Sequence, residues 1–161
     1  MNSDPEKLTT ELASVLLLGQ QKICTAESCT GGLIAKTFTD LAGSSDWFER
    51  GFVTYSNEAK GEMLAVPESI IEDYGAVSEA VASAMASGAL RHSRADYSLA
   101  VTGVAGPGGG SDDKPVGTVW IAVASAEQML AKRYRFGGDR QAVRVATLIA
   151  AIELLLDLVE S

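Results

Sequence analysis

The sequence has little of what metal sites and histidine-based catalysis require: one histidine and two cysteines in 161 residues. Without carboxylates these three side chains cannot complete a four-ligand zinc site, so no metal is expected. Cys24 and Cys29 are five positions apart across a predicted strand end, and no disulfide is expected between them in a reducing cytosol. Basic charge is scarce too. Thirteen Lys and Arg stand against 21 Asp and Glu, giving a net charge of −8 and a pI of about 4.6. That balance argues against a general nucleic-acid binder, which carries a basic face. A small anionic substrate remains admissible, because a helix N-terminus and one or two cations suffice locally. No apolar run is long and uninterrupted enough to span a bilayer, and no signal peptide is visible. Repeats, linkers and low-complexity tails are absent as well. One cytoplasmic domain over residues 1–161 is expected, with no membrane and no nucleic-acid partner.

Hydrophobic residues make up 47% of the chain, enough for a sizeable core. Asp4 and Pro5 open a predicted helix over 4–19, with Leu8, Leu12 and Val15 or Leu16 on one face and Gly19 at its end. QKICTAE reads as a short strand, followed by a tight turn at Ser28 and a helix from about Thr30 to Leu41. WFERGFVTYS alternates as a strand. NEAKGEML is a short helix capped by Ser56 or Asn57, and Pro67 begins a further helical turn. A helix rich in small residues follows the Ser78 cap. DYSLAVTGVAG is a buried strand running into a Gly-rich loop, and residues 117–126 and 129–136 read as two strands, paired as a hairpin. Asp139 caps a final helix to about Leu158. The implied fold class is α/β: a single-domain, layered α/β/α-type fold with a mixed sheet flanked by helices. Strand order is left open, as is whether the helix over 78–90 packs on the sheet or on a second copy in a homo-oligomer.

Ser28 carries the chemistry most directly. A nucleophile elbow sets a serine on a sharp strand-to-helix turn with small neighbours, usually as G-x-S-x-G. Here Ala26 takes the first small position and Thr30 the second, with Gly31 and Gly32 one and two residues beyond it, so the match is partial. A plain N-cap serine satisfies the same pattern. A serine nucleophile needs a base, and His92, in the polar segment LRHSR, reads as a helix-end histidine. A lysine of lowered pKa is the natural substitute; Lys22, Lys36, Lys60 and Lys114 are the candidates, with Lys60 nearest the expected site. Cys29, beside Ser28, lacks an imidazole partner and ranks below it. TGVAGPGGGSDDKPVG (residues 102–117) leaves a buried strand at a sheet end, where α/β proteins bind ligands. It is neither a Walker A nor a G-x-G-x-x-G motif, and reads as a ligand cradle or as a flexible connection.

TAESCTGG, GSSDWFERGFVTYSNEAK, GAVSE, TGVAGPGGGSDDKPVGTVWIA and GDR, in that order, resemble the nicotinamide-nucleotide amidases, the free-standing form of the C-terminal domain of CinA proteins. The resemblance implies hydrolysis of the carboxamide of nicotinamide mononucleotide to nicotinate mononucleotide and ammonia, in pyridine-nucleotide recycling, without metal or cofactor. It implies Ser28 as nucleophile and Tyr55 and Lys60 as its proton-transfer partners, the division of labour between them left open. Backbone N–H groups of Cys29, Thr30 and Gly31 are the expected oxyanion donors. Thr102, Gly103, Gly106 and Gly108, with Arg140 as a cation, are expected to hold the 5′-phosphate, and Glu27, Gly32 and Asn57 complete the expected substrate contacts. Two other readings remain: a catalytically silent nucleotide-binding module, and a DNA-associated competence factor, against which the acidic composition argues.

Overall fold

β1 (Ile23–Glu27) is buried along its whole length because it lies in the interior of a five-stranded sheet. The structure, a computed structural model, describes residues 4–161. The sheet order is β2-β1-β3-β4-β5, built from β2 (Phe48–Val53), β3 (Tyr97–Gly103), β4 (Thr118–Ala124) and β5 (Met129–Arg135). β1 runs parallel to β2 and β3, whereas β3, β4 and β5 pair antiparallel in turn. This mixed sheet is the expected class. Its edge strands β2 and β5 are largely exposed, which explains why β2 mixes polar and apolar residues.

Side-chain size separates the two faces of the sheet. Alternate residues of β3 and β4 send Leu99, Val101, Val119, Ile121 and Val123 to one side, where α1 (Pro5–Gly19), α2 (Leu33–Thr39) and α6 (Arg140–Val159) cover them. Cys24, Ala26, Ala100, Ala122 and Ala124 face the other side. There α5 (Glu79–Arg91) brings Val81, Ala82, Met85, Ala86 and Ala89 against the strands, flanked by α3 (Asn57–Leu64) and α4 (Glu68–Tyr74). Small residues on both surfaces let helix and sheet approach closely, and Ser98 Oγ on β3 donates directly to the Ala86 carbonyl at 2.8 Å. The small-residue face of α5 is thus occupied by the sheet.

The helix starts follow the sequence signals at Asp4, Ser56, Ser78 and Asp139, each of which accepts a backbone N–H from the first turn. α2 departs from expectation. It begins at Leu33, not at Thr30, because Gly31 and Gly32 adopt φ of +58° and +107° and cannot continue a right-handed helix. Ser28 therefore sits before a separate turn and not at a helix N-terminus. Among the described residues no helix is long and apolar enough to cross a membrane.

Gly88 sets how α5 meets α3: a Cβ there would lie far inside van der Waals contact with the Leu64 carbonyl. Alanine gains about 1 kcal/mol in helix propensity, but the overpacking cost of about 1–3 kcal/mol should outweigh it. Gly88→Ala is expected to lower the melting temperature by several degrees, at roughly 2–4 °C per kcal/mol for this chain length. A thermal scan showing no loss would mean that α3 moves aside freely.

Candidate active site

The parallel pairing fixes where the chemistry collects. Glu27 at the end of β1 lies level with Val53 of β2 and Val101 of β3, so the residues after each strand emerge at one end of the sheet. Ser28, Tyr55 and Thr102 are thereby brought to one pocket of about 300 Å³, joined by Cys29, Asn57, Lys60, Gly103, Gly106, Gly108 and Arg140. No Asp or Glu lines it. In a chain of net charge −8, the ionisable cations that line this pocket are Lys60 and Arg140.

α3 delivers the lysine. Ser56 caps the helix through Ala59 N–H, and one turn in, Lys60 points inward with 1% of its surface exposed. Its Nζ lies 3.1 Å from Ser28 Oγ, 3.2 Å from the Thr54 carbonyl and 3.3 Å from the Tyr55 carbonyl. None of these partners is a carboxylate. Burial disfavours the ammonium and pulls the Lys60 pKa below its ordinary value. Nζ donates to all three oxygens in this arrangement; a neutral amine keeps the two carbonyl bonds and can turn its lone pair to the Ser28 hydroxyl. Ser28 is held by its own N–H, which donates to the Val101 carbonyl at 3.1 Å.

The other candidate bases lie elsewhere. His92 follows α5, before β3, at the opposite end of the sheet, and its Nδ1 meets the Gly88 carbonyl. Lys36 pairs with Asp40 on the surface, Lys114 donates to the Tyr74 carbonyl, and Lys22 precedes β1. Cys29 lines the pocket, but burial pushes its thiol up to about 12, so it stays protonated. Tyr55 reaches Ser28 through its backbone: its carbonyl accepts from Lys60 and lies 3.5 Å from Ser28 Oγ. Its phenol points out, 62% of the residue being exposed, and its hydroxyl accepts from Arg140 Nη2 at 3.3 Å.

The turn after Ser28 differs from expectation in its donors. Gly31 N–H donates to the Ser28 carbonyl and Gly32 N–H to Glu27, which removes Gly31 from the expected oxyanion set. Cys29 and Thr30 N–H have no acceptor among the described residues. Glu27 does not face the pocket. Its carboxylate is committed to the start of α2, so that helix end is closed to a substrate anion. Arg140, the expected cation, lines the pocket, and its Nη1 donates to the Gly106 carbonyl at 2.8 Å. Thr102 lines the pocket with its hydroxyl turned to the Ala76 carbonyl. Sequence reasoning missed Arg144, whose Nη2 donates to the Thr30 carbonyl at 2.8 Å. Its signal was the spacing Arg140–Arg144, one helical turn apart and so on one face.

These features define a member of a known family. The model of the CinA C-terminal domain matches residues 5–159, and the chain belongs to that family. The nicotinamide-nucleotide amidohydrolase PncC of Escherichia coli (strain K12) is 50% identical over 96% of this chain and 94% of its own length. A CinA-like protein of Geotalea daltonii is 51% identical over 94% of this chain but only 37% of its own length, so the unit there is part of a longer protein. The crystal structure of competence/damage inducible protein CihA from Agrobacterium tumefaciens has a TM-score of 0.95 and 44% identity, covering 98% of this chain and 96% of that one. A CinA superfamily protein from E. coli gives 0.93 at 39% identity, covering 97% and 91%.

A lysine whose folded-state pKa is lowered binds fewer protons folded than unfolded, so stability should rise with pH between that lowered pKa and about 10.4. Below that window the buried ammonium destabilises the fold. Compared with Lys60→Met, the wild type should therefore gain unfolding free energy as pH rises through the window. Denaturant titrations at a series of pH values measure it, and parallel curves for the two proteins would exclude the shift.

Proposed function

We propose that this chain, acting over residues 1–161 as one amidase domain, hydrolyses the carboxamide of nicotinamide mononucleotide to nicotinate mononucleotide and ammonia. The observation that carries this reading is the 3.1 Å contact between Ser28 Oγ and the buried, carboxylate-free Lys60 amine. The names of the PncC relatives, half identical over nearly the whole chain, supply the substrate.

Neutral Lys60 accepts the Ser28 proton as Oγ attacks the carboxamide carbon. The carbonyl oxygen, gaining negative charge, turns to the unpaired N–H groups of Cys29 and Thr30. Lys60, now an ammonium, returns its proton to the amide nitrogen, and ammonia leaves. Water then attacks the nicotinoyl ester on Ser28 and its proton passes to the same amine; the bond from the acyl carbon to Ser28 Oγ breaks, Lys60 returns the proton to Oγ, and nicotinate mononucleotide leaves. One base serves both halves, since the pocket lining offers no histidine and no carboxylate. Arg140 and the loop from Thr102 to Gly110 receive the 5′-phosphate, and Asn57 lies at the same wall. The Tyr55 phenol, bonded to Arg140, orients that cation at the pocket mouth. Cytoplasmic recycling of pyridine nucleotides is the setting this reaction fits, with a small molecule as partner and no nucleic acid.

A coupled ammonia assay on nicotinamide mononucleotide tests the reading. Ser28→Ala and Lys60→Met should each lower kcat by about 10³-fold or more while remaining folded. Arg140→Ala should raise KM for the mononucleotide by roughly 10–100-fold and change little for the riboside, which has no phosphate to lose. Undiminished turnover in Ser28→Ala would sink the serine mechanism. Binding without ammonia release in the wild type would favour a silent nucleotide-binding module.

A further inference from the structure

Glu27 is a charged residue in the sheet interior, 1% exposed, immediately before the serine. Its Oε1 accepts from Thr30 Oγ1 at 2.6 Å, Gly32 N–H at 3.2 Å and Ile34 N–H at 2.9 Å. Its Oε2 accepts from Ala35 N–H at 2.9 Å. The carboxylate thus supplies the anion at the start of α2, where Gly32 offers no side-chain cap. Thr30 lies between this carboxylate and a cation. Its hydroxyl goes to Glu27, and its carbonyl accepts from Arg144 Nη2 at 2.8 Å, across from α6. Arg144 Nε is buried with no partner, a cost that marks a guanidinium held in place by its other contacts.

We infer that Glu27, Thr30 and Arg144 form a clamp of positioning residues that fixes the turn from Ser28 to Gly32 and keeps the Cys29 and Thr30 N–H groups, which follow Ser28 in the chain, unpaired. This rests on the reading of Ser28 as nucleophile. The two glycines give the turn its shape but leave it free to relax. An unclamped turn of this length would rotate its amides to satisfy one another, and the unpaired donors would be lost. Held from both sides through one threonine, the donors stay preorganised for charge that appears only as the reaction proceeds. The clamping side chains are committed to the turn and to α2, and only the backbone N–H of Thr30 is left for substrate. The effect of the clamp belongs to kcat, leaving KM near its original value.

The test compares Thr30→Val, which keeps the shape and removes the hydroxyl, with Thr30→Ser, which restores it, and with Glu27→Gln. Glutamine keeps one acceptor oxygen but sets an NH2 group against Ala35 N–H or Thr30 Oγ1. Steady-state kinetics on nicotinamide mononucleotide are read beside melting temperature and the fraction folded, with Ser28→Ala as control. Thr30→Val and Glu27→Gln are expected to lower kcat per folded molecule by about 10–100-fold with KM within about threefold, a loss of the size a misplaced reacting group produces. Thr30→Ser should return kcat to within about threefold of wild type. A melting temperature that falls while kcat per folded molecule stays within twofold would make the clamp merely structural and overturn the inference. A rise in KM alone would overturn it too, by making Thr30 a substrate contact. If Thr30→Val does not fold, Glu27→Gln decides by the same ratio. Ser28→Ala separates the two levels: if it is inactive while Thr30→Val is fully active, only the clamp fails, and if it is fully active the serine reading itself fails.

Discussion

An amine buried without a counter-ion is the constraint around which this molecule is arranged. Lys60 lies under the surface with two carbonyls and a serine hydroxyl as its hydrogen-bond partners among the described residues. Such a site is stable only if the surroundings accept a neutral amine, so both carbonyls must be in place before the side chain arrives. They come from Thr54 and Tyr55, the two residues after β2, whose position follows from parallel pairing with β1. The lysine comes from α3, which α5 holds through the close contact at Gly88, and α5 is seated on the alanine face of the sheet. Packing far from the pocket therefore determines whether the amine and the hydroxyl meet.

Charge is partitioned accordingly. The chain is acidic overall, yet no acid lines the pocket, and the carboxylate adjacent to Ser28 in sequence is turned away to serve the start of α2. A carboxylate facing Lys60 would favour its ammonium and remove the base. Arg140 has no carboxylate partner among the described residues either; its bonds go to a carbonyl and a phenol, both neutral groups. The ion pairs, Lys36–Asp40 and Arg50–Glu49, lie apart from the pocket.

Much of this was legible in the residues. The helix caps, the class of fold and the strand–turn character of Ser28 rest on local signals, and local signals report local geometry. Lys60 emerged because the scarcity of histidine forced the search toward lysine, and the family resemblance pointed to the same residue. What stayed hidden depends on direction and distance. Nothing in the order Glu27-Ser28 says that adjacent side chains of a strand point to opposite sides, one to a helix end and the other to a pocket. Tyr55 was read as a side chain, whereas its carbonyl is what lies against Ser28. The start of α2 is not legible from composition, because consecutive glycines are compatible with a helix start in sequence, whereas the positive φ of Gly31 and Gly32 excludes them from it. Arg144 acts on Thr30 across 114 positions of chain, a separation that no local pattern spans.

The unequal faces of the sheet carry a consequence for how the molecule can vary. On the α5 side the strands present mostly alanine and the helix answers with Ala82, Ala86 and Ala89 beside Val81 and Met85, so substitution at the alanines adds atoms where none fit. On the α1 and α6 side the layer is leucine, isoleucine, valine, phenylalanine and tryptophan, so most substitutions remove atoms and leave a void. One half of the core fails by overfilling and the other by hollowing. Overfilling pushes whole helices aside, whereas a cavity leaves the backbone near its place. The half that carries the lysine helix is therefore the less forgiving, and neutral drift in the interior should collect on the far side of the sheet.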